Sequence, residues 1–266
     1  MRNRLAPLIL ATALAASASA STAAADLGAI QKSGVLRVLV VDGSPAFFAL
    51  KAGAEPGLDR EFLEGFARLN KLTLKAVEVS SWDALVPGLL ADQGDLIAGG
   101  VTVTPGRSQL IDFSVEVFPT RHVVVTRKPT RLVTTLAQLR EERVGTIKGS
   151  SMAEAIAAAG VPAAHLDDSL VSGGAPAALR AGRITATVSG IEDAFLYQKA
   201  DAAIQIGLFV GPRGSLAFGV RKEARELKAA LDDYIKNMRR TQTWSRLVLK
   251  YFGEGAPDLL RKARSE

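Results

Sequence analysis

The sequence contains no cysteine. That excludes a disulfide framework, thiol catalysis, cysteine-ligated metal and lipid attachment through cysteine. It has two histidines, His122 and His165. They lack metal-ligand spacing, so each reads as a solvated or hydrogen-bonded residue, and neither a metal nor an organic cofactor is implied. There is no phosphate-binding glycine loop and no nucleophile elbow. The charge is +6, from 33 basic and 27 acidic residues. The basic residues are scattered, with small clusters at Arg239-Arg240 and near the C-terminus. No basic stripe or known motif marks a nucleic-acid partner. Past the first segment, no apolar run approaches the roughly 20 residues that span a bilayer.

The first segment reads as a secretion signal. Arg2 and Arg4 form a basic start, an apolar stretch runs from Leu5 to about Ala16, and small residues lead to Ala23-Ala24-Ala25 before Asp26. Residues 1–25 are expected to be removed after Ala25, with Ala20 the alternative cleavage point. The apolar core is too short for an uncleaved membrane anchor. Loss of Arg2 and Arg4 leaves a charge of +4 on about 240 residues. A chain of that length buries an adequate core without disulfides.

The remainder alternates strands and helices. Leu36–Val41 is a compact β-branched run and reads as a buried strand. Leu58, Phe62, Phe66 and Leu69 recur at helical spacing over about Asp59–Leu69. Leu72–Val79 is rich in strand formers. Ser81 can cap a helix bearing Leu85, Leu89 and Leu90, and Asp95–Gly100 returns to strand. In a second series, Arg143–Ile147 is a strand, and Ser151 to Glu154 has capping-box spacing ahead of an alanine-rich helix. Ile184–Ser189 and Leu216–Val220 are further strands. A last helix places Leu227, Leu231, Ile235 and Met238 on one face. No internal repeat is evident. This alternation indicates an α/β fold with largely parallel sheets.

Specific segments now carry a resemblance: "GLDREFLEGFARLNKL", "WDALVPGLLADQGDLIAGG" and "VTVTPGRSQLIDFS", followed by "VGTIKGSS", "AALRAGRITATVSG" and "LAFGVRKEARELKAALDDYIKNM", and ending at "WSRLVLKYFG". In this order they resemble the family 3 periplasmic solute-binding proteins, which include the amino-acid receptors of ABC importers. The resemblance implies a two-lobed periplasmic-binding-protein fold (type II), each lobe a mostly parallel sheet flanked by helices, with two crossover strands as hinge. Residues 26–117 plus 214–266 would form lobe 1 and residues 118–213 lobe 2, with ligand in the cleft between. It also implies a periplasmic, noncatalytic monomer that hands an amino-acid-like or small carboxylate ligand to an ABC permease in the inner membrane.

The resemblance places Arg107, in Thr104-Pro105-Gly106-Arg107, on the ligand's α-carboxylate. A guanidinium suits that task because its planar fork donates two parallel hydrogen bonds. Thr102 and Gly100 match two more first-lobe positions: threonine can donate its hydroxyl, and glycine allows close approach to the backbone. Ser150 and Ser151 open the alanine-rich helix, where backbone N–H groups can receive an anion. Trp82 and Phe48 match aromatic wall positions. Asp42 is a turn-forming aspartate before Gly43 or an acceptor for a ligand amine.

One departure stands out. Amino-acid receptors of this family place an aspartate, the partner of the α-ammonium, at the end of the strand matching Ile184–Gly190. Here that position is Gly190, and Thr185 replaces the customary aspartate earlier in the strand. An ammonium buried without an anion would cost several kcal/mol. Glu192 or Asp193 could supply the charge from the first helical turn, although the helix dipole alone favours acids there. The ligand could instead lack an amino group, or the chain could have another task. An aspartate installed at Gly190 is expected to strengthen binding of ordinary amino acids. Two rivals remain open. One is a cyclohexadienyl (prephenate/arogenate) dehydratase-like enzyme, in which Glu192 or Asp193 protonates a leaving hydroxyl beside Arg107. The other is a module that senses cell-wall fragments.

Overall fold

The computed structural model describes residues 26–265, so the expected signal segment, residues 1–25, lies outside the described residues. In chain order the first half comprises α1 (Leu27–Ser33), β1 (Val35–Val40), α2 (Leu58–Leu69), β2 (Thr73–Glu78), α3 (Leu85–Leu90), β3 (Leu96–Ile97), α4 (Pro105–Leu110), β4 (Asp112–Phe113) and β5 (Phe118–Arg127). The second half comprises α5 (Leu136–Glu141), β6 (Val144–Gly145), α6 (Ser151–Ala158), β7 (Leu166–Asp167), α7 (Ala175–Arg180), β8 (Ala186–Gly190), α8 (Ile191–Ala200), β9 (Ile204–Leu216), β10 (Gly219–Val220), α9 (Arg225–Arg240), α10 (Thr243–Phe252) and α11 (Ala256–Arg264). Among the described residues no helix is long and apolar enough to cross a membrane.

Two five-stranded sheets form, in the orders β2-β1-β3-β10-β4 and β7-β6-β8-β5-β9. Each is mixed, with four strands running one way and one reversed. In the first, β1 pairs in parallel with β2 and β3, while β10 runs antiparallel to β3 and β4. In the second, β6 pairs in parallel with β7 and β8, and β5 runs antiparallel to β8 and β9. The reversed strand is β10 in the first sheet and β5 in the second, and β5 and β9 are the long strands that link the two sheets. The architecture is the two-lobed, type II binding-protein fold.

The first lobe closes over the apolar stripe of α2, where Leu58, Phe62, Leu63 and Phe66 are buried against Leu36, Val38 and Val40 of β1 and against Leu227, Leu231 and Ile235 of α9. An aromatic group sits where the chain crosses between lobes. The ring of Phe118 lies 5.9 Å from Phe47, 5.1 Å from Phe252 and 6.2 Å from Trp244. The Trp244 indole donates to the Val117 carbonyl at 2.6 Å. The root of the crossover is thereby fixed to the C-terminal helices. The last of these, α11, packs on β5 and α8 of the second lobe, and Arg121 of β5 donates to the Ser265 carbonyl at 2.8 Å.

Several elements differ from their sequence reading. The strand expected over Asp95–Gly100 stops at Ile97, because Gly99 and Gly100 take φ of +100° and +78°, a region outside extended backbone. The helix expected to begin at Ser151 is capped one residue earlier, by Ser150, whose hydroxyl accepts from Ala153 N at 3.2 Å. The strand expected over Leu216–Val220 divides between the end of β9 and the start of β10.

Candidate functional site

Residues from both lobes converge between the sheets. Thr104 caps α4 by accepting the Arg107 N–H, and Pro105 occupies the first turn. This short helix carries Arg107, which is buried. Its guanidinium donates to the Thr102 carbonyl at 2.9 Å and reaches the Gly149 carbonyl of the second lobe at 3.4 Å. Among the described residues no carboxylate lies within ion-pairing distance of it. Burial pulls its pKa below the ordinary value, partly opposed by the charge of Glu154. A buried cation without a counter-ion is costly, so an incoming anion is favoured here.

Across the cleft, Ser150 is occupied with capping. Ser151, the first helical residue, points its hydroxyl to Thr102 Oγ1 at 3.0 Å and lies 3.1 Å from His122 Nε2. Trp82 donates its indole N–H to Ser172 Oγ at 2.9 Å. These contacts join the lobes. Two glycines permit the approach: a Cβ at Gly43 would fall 2.1 Å from the Ser172 Cβ, and one at Gly149 would fall 2.7 Å from the Asp83 Cβ.

The acidic side of the cleft is carried by the start of α8. Glu192 is buried and accepts the Thr120 hydroxyl at 2.7 Å. Burial, with the adjacent charge of Asp193, pushes its carboxyl well above the usual range, and burial also raises Asp193. Tyr197, one turn on and bonded to Ser189, is raised by burial and by Asp193. No cation pairs with Glu192 or Asp193 among the described residues. An ideal Cβ at Gly190 would fall 2.0 Å from Glu192 Oε1. The glutamate carboxylate therefore fills the space that a side chain at 190 would enter. Gly190→Asp would have to displace the Glu192 carboxylate, the end of a flexible side chain, so the new acid would take the place of Glu192 rather than add to it.

Three small cavities, of about 30, 20 and 20 Å3, lie between the two charged sides. Trp82 lines all three, as does Met152. Gly100 and Thr102 line both the cavity at Arg107 and the cavity at Glu192. Each holds about a water's worth of space. An organic ligand therefore enters only when the lobes part or Met152 turns aside.

The aromatic wall is Phe47 rather than Phe48. Phe47 lines the cavity at Glu192, whereas Phe48 is buried in the core with the Arg60 guanidinium 5.8 Å from its ring centre. Asp42 is exposed and lines none of the three cavities. Thr185 sits at the outer end of β8, with its hydroxyl accepting from Arg143 N. His165 is exposed and bonds the Arg140 carbonyl. His122 reaches the cleft instead, where burial and the neighbouring Arg107 lower its pKa. Among the described residues no group of His, Asp or Glu is arranged to hold a metal.

Sequence reading missed Asp59. Its carboxylate is buried in α2 and accepts the N–H groups of Gly99 and Gly100, both at 2.9 Å, through Oδ2. Its Oδ1 has no partner. The signal was available: Asp59 lies three, four and seven residues before Phe62, Leu63 and Phe66, placing a charge on the apolar face. Burial outweighs the two hydrogen bonds and raises its pKa to about 6. The folded state thus holds this proton more tightly than the unfolded chain, whose value is near 3.9. The stabilising contribution is complete below about pH 4 and is lost as pH rises through about 6. Asp59→Asn is therefore expected to gain on the wild type by about 1–3 kcal/mol as pH is raised from 4 to 7. Chemical denaturation at both pH values measures this. A pH-independent difference would show that Asp59 carries no buried-charge cost.

Comparisons with known proteins agree with this architecture. The sequence model for bacterial extracellular solute-binding proteins, family 3, matches residues 36–254. The histidine-binding periplasmic protein of Salmonella typhimurium is 30% identical over 187 residues, covering 64% of this chain and 69% of that protein. Membrane-bound lytic murein transglycosylase F of Stutzerimonas stutzeri is 27% identical over 234 residues. That match covers 86% of this chain but only 48% of the transglycosylase, so the chain spans about half of that relative's length. Among solved structures, a mutant of ArgBP from T. maritima superposes with a TM-score of 0.78 at 23% identity, covering 86% of this chain and 99% of that one, which speaks to the fold. With the match extending from β1 to just past α10, the chain belongs to the bacterial extracellular solute-binding proteins, family 3.

Proposed function

We propose that the protein captures a small amino-acid-like ligand in the periplasm and delivers it to an ABC importer, closing its lobes around the ligand without chemical change. One observation carries this reading: a buried, unpaired guanidinium, Arg107, faces a cleft whose other side carries the buried acid Glu192 and the half-buried Asp193, neither paired with a cation among the described residues. A ligand bearing one anionic and one cationic group offsets both desolvation costs at once. The carboxylate docks on Arg107, with Thr102 and the start of α6 beside it. The ammonium docks on Glu192, from where the missing aspartate of Gly190 would otherwise act. The histidine-binding relative fits a ligand of this charge pattern.

A second reading draws on the proton held by Glu192. An acid beside a carboxylate clamp can protonate a leaving hydroxyl, so a cyclohexadienyl acid such as prephenate is a candidate substrate. The transglycosylase relative makes wall fragments a third class of ligand.

The test is thermal unfolding of the refolded, ligand-free protein with amino acids, organic acids, muropeptides and prephenate. A ligand that binds only the folded state raises the melting temperature, with about 2.7 kcal/mol of added stability at 100 times its dissociation constant. A shift with amino acids alone supports the proposal. A shift with prephenate calls for a turnover assay, and turnover would replace the binding reading. No shift across the panel would remove the amino-acid assignment.

A further inference from the structure

A cavity of about 560 Å3 adjoins the cleft on the side of β9 and α6. It is within the 300–1,000 Å3 range of small-molecule sites, whereas the cleft cavities are 20–30 Å3. Thr102 and Ser151 line both this cavity and the one at Arg107, and His122 lines both it and the one at Glu192. The partition is therefore a row of three side chains joined by two hydrogen bonds, Ser151 to Thr102 and His122 to Ser151. The Ser151–Thr102 bond crosses between lobes and is released when they part.

We propose that this side cavity seats an apolar tail on the ligand whose carboxylate Arg107 holds, so that the preferred ligands are carboxylates bearing an aliphatic or aryl group. This rests on the carboxylate-clamp reading above. The walls select the tail's chemistry. Small side chains of α6, Ala155 and Ala158, leave the space that Leu208 and Val210 of β9 and Pro105 of the first lobe enclose. Leu136, also on its lining, is 40% exposed, an apolar surface that a tail would cover. The charged residues on the lining, Glu154 and Arg213, are exposed and of opposite sign, so neither charge on a tail is favoured over neutrality. Because the cavity has walls from both lobes, a tail seated there holds the lobes together, and the oxygen and nitrogen atoms of the ligand's head replace the Ser151–Thr102 bond it displaces.

The experiment is calorimetric titration of the wild type with alanine and 2-aminooctanoate, and with acetate and octanoate. The long member of a pair is expected to bind at least about 30-fold more tightly, in line with burial of several methylene groups. Ala155→Phe narrows the cavity without entering the cleft, and should lower that ratio while leaving alanine affinity unchanged. Ala158→Leu repeats the test should the first variant fail to fold. A wild-type ratio near one overturns the side-cavity proposal alone. So does a ratio that neither substitution lowers, because the tail then lies elsewhere. Octanoate binding indifferent to Arg107→Ala overturns the linked head-and-tail arrangement. Absence of binding by all four probes removes the carboxylate clamp together with the side cavity.

Discussion

Arg107→Ala retains its fold and loses affinity for its carboxylate ligand by about 30- to 3,000-fold. Truncating one partner of a buried, hydrogen-bonded charge pair costs about 2–5 kcal/mol, and each 1.4 kcal/mol is tenfold in affinity. The fold survives because the guanidinium's structural bonds are to carbonyls, at Thr102 and more distantly Gly149, and removing an unpaired buried cation relieves a desolvation cost. Arg107→Lys separates charge from geometry. It keeps the cation but not the planar fork, and its affinity should fall between the other two. Titration calorimetry with the ligand identified by thermal shift decides the matter. Unchanged affinity in Arg107→Ala would remove this residue from the site.

Glu192→Gln should produce the opposite pairing, a more stable protein that binds a cationic ligand poorly. Glutamine keeps an oxygen for the Thr120 hydroxyl but cannot meet an ammonium with charge. Breaking a buried ion pair in this way costs about 3–5 kcal/mol, or roughly 100- to 3,000-fold. The pH dependence gives a second reading of the same residue. Glu192 is raised in the folded state, so its proton must leave before an ammonium can bind, and wild-type affinity should climb as pH rises above the ordinary glutamate range. The Gln variant should lack that climb. For the ligand-free protein the sign is reversed. A raised carboxyl stabilises the folded state fully below the unfolded value near 4.3, and that contribution disappears as pH rises through the folded value. The Gln variant should therefore gain on the wild type between pH 4.5 and 8. Parallel pH profiles for the two proteins would assign ammonium binding elsewhere.

Much of the first lobe was legible in local pattern. The buried run of β1 and the 3.6-residue spacing of α2 and α9 are strong periodic signals, and they reappear as the sides of one core. The crossover strands were not legible. Pro119 and the basic residues of β5 interrupt its apolar run, and Gly207, Gly211, Pro212 and Gly214 make β9 read as loop. Pairing between the two carries both segments as strand, with register shifts at Arg121/His122 and Val123/Val125 absorbing the irregularity. At the site, the Thr104–Arg107 element and the serines of α6 follow from short motifs. Phe47 and Phe48 could not be separated, because two adjacent aromatics at a turn offer no periodicity to say which one faces the cleft. The closeness of Glu192 to Gly190 was also invisible, since it depends on how the first turn of α8 folds back over the strand end. Met152 and His122 enter through contacts between distant segments, which no local pattern records.

The indole bond from Trp82 to Ser172 gives the protein an optical gauge of its own. The chain has two tryptophans. Trp244 is held in the core against Arg239, whose guanidinium lies 4.8 Å from its ring, and against the Val117 carbonyl; no part of that packing spans the cleft. Trp82 makes its hydrogen bond to the opposite lobe. Parting the lobes exchanges that hydroxyl for water around one indole and leaves the other as a constant background. In a Trp244→Phe protein the emission then comes from a single chromophore placed at the seam, so stopped-flow fluorescence reads the opening and closing rates directly, without an attached dye.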